Sequence, residues 1–449
     1  MNRTNDLTQG VIWKKLISYF LPIAAGTLFQ QLYNAIDAII VGKFVGTGAL
    51  AAVGGSPAMV ANLLLGFFVA LCGGAEVVIS QHFGAKDRKR VDLEIHTSVT
   101  FCFFVGLILS AVVITFSPQI LTFLKTPADT MADSVLYTRI YFSGSIFMLL
   151  FNMGSGILRA MGDSKRPFYY LTVSCVCNII LDIYFVVGLH MGVAGVAWAT
   201  VAAQGISAVL VLIDLCRNKE YPLRPRKLGI KWDVLASMMR IGVPSGIQSA
   251  MYGLSGTILQ TGVNTLGTVV VASWAMSGKL DGVYWAVSSA FGTAVMNFVG
   301  QNYGARNTER IRRCVKTATK LFAAITAVIS GMLLLLAKPA LTLFSDDPAV
   351  IETTWQIIVY LVPFYMLWTV IEVFSGVLRG VGDAVKPAVI VALGVCAFRV
   401  IWVATAFALK KTLFVICICY PISWFITGAA LLFYYFKGSK FSKKHSLDS

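Results

Sequence analysis

The sequence predicts an all-α polytopic membrane protein of twelve transmembrane helices, arranged as two six-helix lobes that are related by an internal repeat. Three observations lead to this prediction. Hydrophobic residues make up 57% of the 449 residues and charged residues only 13%, and the mean hydropathy is +0.76, far from the balance of a water-soluble domain. Long apolar runs recur along the chain, and two sequence patterns each occur twice, 220 residues apart.

The internal repeat is visible in two pairs of segments. Residues 154–167 read GSGILRAMGDSKRP and residues 374–387 read FSGVLRGVGDAVKP, while SQHFGAKDRKRV at 80–91 corresponds to GQNYGARNTERI at 300–311. Because both pairs share one offset, we infer that the two halves of the chain descend from a single unit. Such repeats are typical of transporters whose halves move against each other.

Twelve apolar runs are long enough to cross about 30 Å of hydrocarbon. They lie at residues 13–41, 51–80, 94–117, 136–158, 168–188, 194–215, 234–262, 269–300, 314–337, 353–378, 388–408 and 412–436. The first run follows a short polar start and is not followed by a small-residue cleavage site, so we do not interpret it as a cleavable signal peptide.

Basic residues indicate which loops are cytoplasmic. One alternating set of connecting segments contains 27 Lys and Arg residues, whereas the other set contains five. By the positive-inside rule, this asymmetry predicts that both termini are cytoplasmic. Because the basic residues are spread over short loops, they also account for the net charge of +16 without a nucleic-acid partner.

The longest connection, residues 216–233, is polar and basic and contains two prolines. We interpret it as a cytoplasmic linker between an N-terminal lobe at 1–215 and a C-terminal lobe at 234–449 that ends in a basic cytoplasmic tail. Both copies of each repeated pattern fall on the cytoplasmic side. The halves are therefore predicted to be parallel repeats about an axis along the membrane normal.

The sequence gives no sign of an enzyme or of a cofactor. Its four histidines do not cluster, its nine cysteines include no C-x-x-C pair, and the P-loop pattern G-x-x-x-x-G-K-[ST] does not occur. We therefore expect neither a disulfide framework nor a zinc site nor nucleotide hydrolysis. The energy for transport would come from an ion gradient or from the gradient of the substrate itself.

Two acidic residues in the first half are the main candidates for a functional site. Asp37 shares one stripe of the first helix with Gln30 and Asn34, and Asp182 lies one turn after Asn178 in the fifth helix. An acidic side chain at the centre of a membrane helix costs about 2.5–3.5 kcal/mol on insertion scales. Such residues are either hydrogen-bonding contacts between helices or carriers of a proton or of Na⁺, both of which bind to oxygen.

The second half contains four charged residues within its predicted spans: Lys279, Asp281, Glu372 and Arg399. Lys279 and Asp281 are two residues apart and therefore point to different faces of one helix. We expect structural pairing between helices, for instance of Glu372 with Arg399 or Lys279. Direct binding of a cationic substrate or of protons is the alternative role for this charge network.

Pro22 and Gly26 interrupt the first helix on the N-terminal side of Asp37. A proline followed by a glycine permits a bend in a membrane helix. The bend is interpreted either as a gate that responds to protonation of Asp37 or as a static kink.

The two lobes, the LRAMGDSKRP and LRGVGDAVKP motifs, and the first-helix segment PIAAGTLFQQLYNAIDAIIVGKFVG together resemble the multidrug and toxic compound extrusion (MATE) family of bacterial type. The resemblance implies a cation site formed by Asp37, Asn178, Asp182 and Thr200. It also implies lobes that alternate between inward-facing and outward-facing states. An acidic residue that some relatives carry in the seventh helix has no counterpart at 251–262, so Glu372 or Asp281 would have to substitute for it.

The expected function is secondary active antiport, in which organic cations or amphiphilic drugs leave the cell in exchange for inward H⁺ or Na⁺. A flippase for lipid-linked oligosaccharide precursors is the alternative, although such proteins often have more spans and a more cationic cavity. The expected partners are small-molecule substrates and the lipid bilayer of the inner (cytoplasmic) membrane. The chain is expected to be monomeric, to bind no nucleic acid, and to need no cofactor besides its coupling ion.

Overall fold

The computed structural model describes residues 6–342 and 345–438, apart from the side chain of Thr47. Within these residues the chain is helical and forms no β-strand. The predicted basic tail beyond residue 438 lies outside the described residues. The long helices are numbered α1 Ile12–Ile40, α2 Ser56–Gly84, α3 Arg88–Phe123, α4 Met131–Ser143 with Ser145–Ala160, α5 Lys165–Gly188, α6 Gly192–Cys216, α7 Trp232–Asn264, α8 Thr268–Gly304, α9 Thr308–Leu341, α10 Pro348–Gly380, α11 Val385–Phe407 and α12 Leu413–Gly438.

Each predicted apolar run corresponds to one of these helices, so the all-α, twelve-helix prediction is confirmed. Eight helices within the described part of the chain are both long and apolar enough to cross a membrane. A ninth span is α4, whose two segments meet at an angle of 43°. The other three, α1, α7 and α8, are of similar length but carry more polar residues, including those that the sequence singles out in α1 and α8.

The repeat is reproduced in the backbone at the starts of α3 and α9. Lys86 and Arg306 both have positive φ angles, 60° and 56°. One residue later, Asp87 accepts a hydrogen bond from the backbone N–H of Arg90, and Asn307 accepts one from Arg310, each at 3.1 Å. Both are N-caps, which satisfy amide groups that the first helical turn leaves free. The two halves thus begin their third helices by the same local mechanism.

The second repeated pattern ends α4 and α10 in the same way. Gly162 and Gly382 have φ angles of 87° and 85°, in the left-handed region that favours glycine after a helix. Asp163 then accepts hydrogen bonds from the backbone N–H groups of Lys165 and Arg166 at 3.0 and 3.1 Å, and so caps the start of α5. The repeated motif therefore stops one helix and starts the next.

The chain divides into two compact units, and the division does not fall at residues 216–233. The first unit contains Leu21–Gly246 with the described residues before Thr8, and the second contains Thr8–Phe20 with the residues from Ile247 onward. Two of its boundaries lie inside long helices: one in α1 between Phe20 and Leu21, next to Pro22, and the other in α7 two residues after Pro244. Each of these helices thus contributes its two ends to different units.

The connection at 216–233 is bound to α3 and belongs to the first unit. The ring nitrogen Nε2 of His96 accepts a hydrogen bond from the backbone N–H of Arg224 at 2.9 Å, and the hydroxyl of Thr100 accepts one from Gly229 at 3.0 Å. Lys227 forms a 2.9 Å salt bridge with Asp92. Because these contacts fix its backbone, the connection packs with the six preceding helices instead of acting as a free linker.

Glycine permits a very close contact between α2 and the part of α7 that lies in the first unit. A Cβ atom on Gly242 would lie 2.5 Å from the carbonyl oxygen of Leu71, and one on Gly74 would lie 2.4 Å from the carbonyl oxygen of Met238. Both distances are shorter than any non-bonded carbon–oxygen contact. Small residues allow membrane helices to approach in this way. Close packing matters there because lipid is as apolar as the helix surfaces, so the hydrophobic effect does not hold the helices together.

We expect Gly242→Ala to reduce the amount of folded protein, since the added methyl group must push α2 and α7 apart. Overpacking of this kind typically costs about 1–3 kcal/mol. Size-exclusion chromatography of the detergent-extracted protein after heating measures the effect. Gly253→Ala, later in α7, is the matched control, because a Cβ atom there meets nothing within 4 Å and alanine favours the helix. Equal loss in both variants would contradict this packing argument.

Candidate functional site

The first unit brings the carboxyl groups of Asp37 and Asp182 together. The two helices that carry them contact each other at several points: the rings of Phe29 in α1 and Phe168 in α5 are 5.9 Å apart, and a Cβ atom on Gly26 would lie 3.3 Å from Leu171. Asp182 is fully buried and Asp37 is half-buried. Their carboxyl groups are close enough to interact electrostatically.

The surrounding protein supplies this pair with few hydrogen-bond donors. Both carboxylate oxygens of Asp182, Oδ1 of Asp37, and both polar side-chain atoms of Asn178 are buried without a hydrogen-bond partner from the protein. Two ionised carboxylates that lie close together repel each other, more strongly in a site of low dielectric than in water. A shared proton, or a small cation that prefers oxygen ligands, would remove that repulsion.

Thr200, the fourth residue of the predicted cation site, lies on α6, which packs against α5. Its side chain is buried, and its hydroxyl donates a 3.0 Å hydrogen bond to the carbonyl oxygen of Val196, one turn earlier. That bond uses the proton of the hydroxyl and leaves its oxygen lone pairs free to accept. Thr200 can therefore supply an oxygen ligand but no donor while this bond is present.

Both acidic residues stand close to a change of helix type. The regular part of α5 ends at Asp182 and continues as a π-helix at Ile183–Gly188, and α1 is followed by a π-helix at Val41–Val45. π-Helical turns are rare and often occur at functional sites. Val41 and Val186, one from each π-helix, are buried in one apolar cluster, so this end of the acidic pair is closed by packed hydrophobic side chains.

The polar stripe of α1 faces a cavity of about 440 Å³ in the first unit. Gln30 and Asn34 line it together with Pro22, Gly26 and Tyr33. The rest of its lining is mixed, with hydroxyl and amide groups beside aromatic and aliphatic side chains from α2, α4, α5 and α6. This volume is within the usual range for small-molecule sites.

Three tyrosines lie near Asp37, and two of them also line the cavity. Tyr33, Tyr137 and Tyr141 all interact with the charge of Asp37, and the rings of Tyr137 and Tyr141 stack with centroids 5.6 Å apart. Tyr33 and Tyr141 also line the cavity. Tyr137 and Tyr141 were not identified from the sequence as site residues. The sequence shows that they are one helical turn apart and so share one face of α4. It does not show which helix that face packs against, which depends on the bend of α4 and its packing.

The charged residues of the second unit do not form the ion pairs expected from the sequence. Lys279 is exposed. Among residues 6–342 and 345–438, Glu372 forms no salt bridge and instead lies 3.2 Å from the indole N–H of Trp368 and 3.4 Å from the Ser288 hydroxyl. Arg399 packs on an aromatic ring, and Asp281 lies near Tyr365. Neutral donors and rings therefore take the place of opposite charges.

Arg159 of the repeated motif forms a buried ion pair that the sequence did not predict. Its Nε and Nη2 atoms donate to the two carboxylate oxygens of Glu76 at 2.9 and 2.8 Å. Glu76 is 3% exposed. The equivalent position to Glu76 in the second half is Met296. There, Nε of Arg379 donates at 3.3 Å to the carbonyl oxygen of Ser375, one turn earlier. The two copies of the motif thus have the same backbone but different side-chain partners.

Known proteins resemble this chain over most of its length. The probable multidrug resistance protein YoeA of Bacillus subtilis is 27% identical over 396 residues, which cover 86% of this chain and 85% of the relative. The probable multidrug resistance protein NorM of Thermotoga maritima is 23% identical, with coverage of 86% and 84%.

Solved structures show the same fold. One, described as the outward-facing conformation of a multidrug resistance MATE family transporter, has a TM-score of 0.90 at 21% identity and covers 98% of this chain and 100% of its own. A transporter of the MOP superfamily from Pyrococcus furiosus has a TM-score of 0.89 at 21% identity, with coverage of 96% and 98%. At this level of identity these structures establish the architecture only.

The family model MatE matches the chain twice, at residues 22–184 and 244–405. The two matches correspond to the two halves of the internal repeat and together cover more than half of the chain. The chain therefore belongs to the MatE family, the multidrug and toxic compound extrusion transporters.

Proposed function

We propose that this protein is a secondary active antiporter that exports organic cations or amphiphilic drugs in exchange for inward H⁺ or Na⁺. The observation that carries the proposal is the proximity of the carboxyl groups of Asp37 and Asp182, whose buried oxygens have no hydrogen-bond donor from the protein. The names of the curated relatives, which include multidrug resistance and multidrug export proteins, support the class of passenger. Sequence similarity supports the transporter, and the acidic pair supports the coupling.

In this proposal the pair binds one coupling ion at a time. With the ion bound, the repulsion between the two carboxylates is relieved and the pair is stable in a closed, dry site. When the ion leaves, the pair carries one more negative charge, which must be neutralised or exposed to water. The ion-bound and ion-free states therefore favour different conformations, which is the requirement for coupling a gradient to movement.

The movement would take place in α1, which carries both the acidic residue and the cavity lining. Pro22 and Gly26 lie at the N-terminal end of the part of α1 that lines the cavity, just after the point where α1 passes from the second unit into the first. Proline removes one backbone hydrogen bond of the helix and allows it to bend. We propose that this bend is the gate by which the lobes alternate between facing inward and facing outward.

The proposed location is the inner (cytoplasmic) membrane, with both termini in the cytoplasm and the chain acting as a monomer. Apolar helices support a multi-pass protein, and the distribution of basic residues supports the orientation. The flippase alternative is not favoured. The buried acidic pair of the first unit would repel the anionic diphosphate group of a lipid-linked precursor. The curated relatives are also named for drug resistance.

The test is efflux of ethidium from liposomes that contain the purified protein, with pH and Na⁺ gradients imposed independently. An H⁺ antiporter moves ethidium under a pH gradient in Na⁺-free buffer, and a Na⁺ antiporter requires the Na⁺ gradient. Exchange of one monovalent cation for one H⁺ or Na⁺ carries no net charge, so its rate would not respond to a membrane potential. Movement that depends on the ethidium gradient alone would contradict antiport.

A further inference from the structure

Arg399 is a buried cation without an acidic partner. It lies in α11, eight residues before the helix ends at Phe407, and is 8% exposed. Its recorded partners are neutral. Nε donates to the hydroxyl of Ser423 at 3.4 Å, and the guanidinium carbon lies 3.9 Å from the centre of the Tyr420 ring. Within the described residues it forms no salt bridge, and its two terminal nitrogens have no recorded hydrogen bond.

This position is costly for a cation. Eight residues correspond to about 12 Å along a helix, so Arg399 is not one of the end residues whose side chains reach the headgroups. An arginine at the centre of a membrane helix costs about 2.5–3.5 kcal/mol on insertion scales. The contact with Tyr420 offsets part of this cost, but it satisfies only one face of the guanidinium plane and none of its outer N–H groups.

The acids of the second unit do not compensate this charge. Glu372 is bound by Trp368 and Ser288, and Asp281 lies beside Tyr365. A guanidinium with free N–H groups and no carboxylate partner is the arrangement that recognises a carboxylate through two parallel hydrogen bonds. The missing acid can thus be supplied by a ligand.

The surface beside Arg399 is aromatic. The ring of Tyr420 lies 6.0 Å from that of Trp274, and both side chains are partly exposed. Trp274 also packs on the edge of an apolar cluster that includes Leu259 and Phe407. An aromatic ring prefers to pack against such faces in offset or edge-on geometry. A ligand held here would therefore combine an anionic end with a flat apolar body.

We propose that Arg399, Tyr420 and Trp274 form a binding subsite in the second unit for the aromatic carboxylate group of an amphiphilic passenger. The carboxylate oxygens accept hydrogen bonds from the terminal nitrogens of Arg399, and the ring packs beside Tyr420 and Trp274. The subsite rests on the proposed export function only in assigning the ligand to the class of passengers. It extends that class from cations to compounds that carry a carboxylate.

The test is isothermal titration calorimetry of the purified full-length protein with benzoate, and with benzamide as its uncharged analogue. We expect Arg399→Gln to weaken benzoate binding at least about tenfold, or about 1.4 kcal/mol, while benzamide binding changes little. Arg399→Lys should lie between, because an ammonium group keeps the charge but not the planar pair of donors. Arg312→Gln, which removes an exposed arginine from the same unit, is the matched control.

Three results would overturn the subsite. They are undetectable benzoate binding to the wild type, unchanged affinity in Arg399→Gln, and an equal loss in Arg312→Gln. The melting temperature of the ligand-free protein gives a second measurement. Removal of an unpaired buried charge should leave it unchanged or raise it, whereas a clear decrease would show that Arg399 is a structural contact of Tyr420. If Arg399→Gln does not fold, Arg399→Lys still compares benzoate with benzamide.

These results can be separated from those that test antiport. Benzoate binding is measured in detergent without a gradient, so it does not depend on coupling. If benzoate binding depends on Arg399 while the wild type fails to move ethidium under any ion gradient, the subsite stands and the proposed antiport is wrong. If the wild type moves ethidium under an ion gradient but benzoate binding does not depend on Arg399, the subsite is wrong and the proposed antiport stands.

Discussion

Replacing either Asp37 or Asp182 by asparagine is expected to reduce ion-driven ethidium efflux to the level of protein-free liposomes. Asparagine has nearly the shape of a neutral, protonated aspartic acid but cannot release or bind a proton, and it is a weaker ligand for Na⁺. Each substitution therefore fixes the pair in a state that resembles the ion-bound one. Exchange stops because the charge of the site no longer changes.

The folded protein should tolerate these substitutions, since they remove a repulsion between two carboxyl groups and create no cavity. Equal amounts of monodisperse protein in detergent would establish this. Asp133→Asn is the matched control because Asp133 is an exposed acid on α4 in the same unit, and its efflux should equal that of the wild type. Efflux at the wild-type rate in Asp37→Asn and Asp182→Asn would exclude the acidic pair as the coupling site.

The largest loss of stability is expected from breaking the ion pair between Glu76 and Arg159. Glu76→Gln leaves a largely buried guanidinium without the two charged acceptors that it now has. Removing one partner of a buried ion pair typically costs about 3–5 kcal/mol, because the remaining charge stays in a poor solvent. We expect a clear decrease in the melting temperature of Glu76→Gln, measured by size-exclusion chromatography of heated samples.

The repeat provides the control for this prediction. Arg379→Gln changes the equivalent arginine of the second half, which has a 3.3 Å hydrogen bond to a carbonyl oxygen but no recorded salt bridge to an acid within the described residues. It should have a smaller effect. The double variant Glu76→Gln with Arg159→Gln should regain much of the loss, since no charge is then buried alone. If the double variant is no more stable than Glu76→Gln, the loss of stability in Glu76→Gln does not come from the buried charge of Arg159.

The sequence predicted the helices well because hydropathy and length control membrane insertion directly. Each apolar run became a helix, and the repeated patterns became equivalent helix ends in the two halves. Asp37 and Asp182 could be chosen from the sequence because an acid in an apolar run is costly wherever it lies. The choice of these two residues required no knowledge of which helices are neighbours.

Side-chain partners that depend on which helices pack together could not be predicted from the sequence. The sequence suggested that Glu372 pairs with Arg399 or Lys279, but Glu372 is bound by Trp368 and Ser288, Arg399 packs on Tyr420, and Lys279 is exposed. The pairing of Arg159 with Glu76 joins residues 83 positions apart. The π-helices after Asp37 and Asp182 leave no hydropathy signal, because they change the backbone hydrogen bonds and not the composition.

The boundary between the units was misplaced for a related reason. A polar, proline-containing segment such as 216–233 resembles a linker in composition, yet His96 and Thr100 bind its backbone to α3. The actual division passes through α1 and α7 next to Pro22 and Pro244. A continuous helix gives no compositional sign that its two ends pack in different units.

The central claim is that a single coupling ion is held between Asp37 and Asp182 and is given up when the passenger is bound. Its most direct test is the number of protons released, or Na⁺ ions displaced, when ethidium binds to the purified protein in weakly buffered detergent solution. The account predicts release of about one ion per wild-type molecule and none from the variant that carries both Asp37→Asn and Asp182→Asn. The same release from that double variant would contradict it.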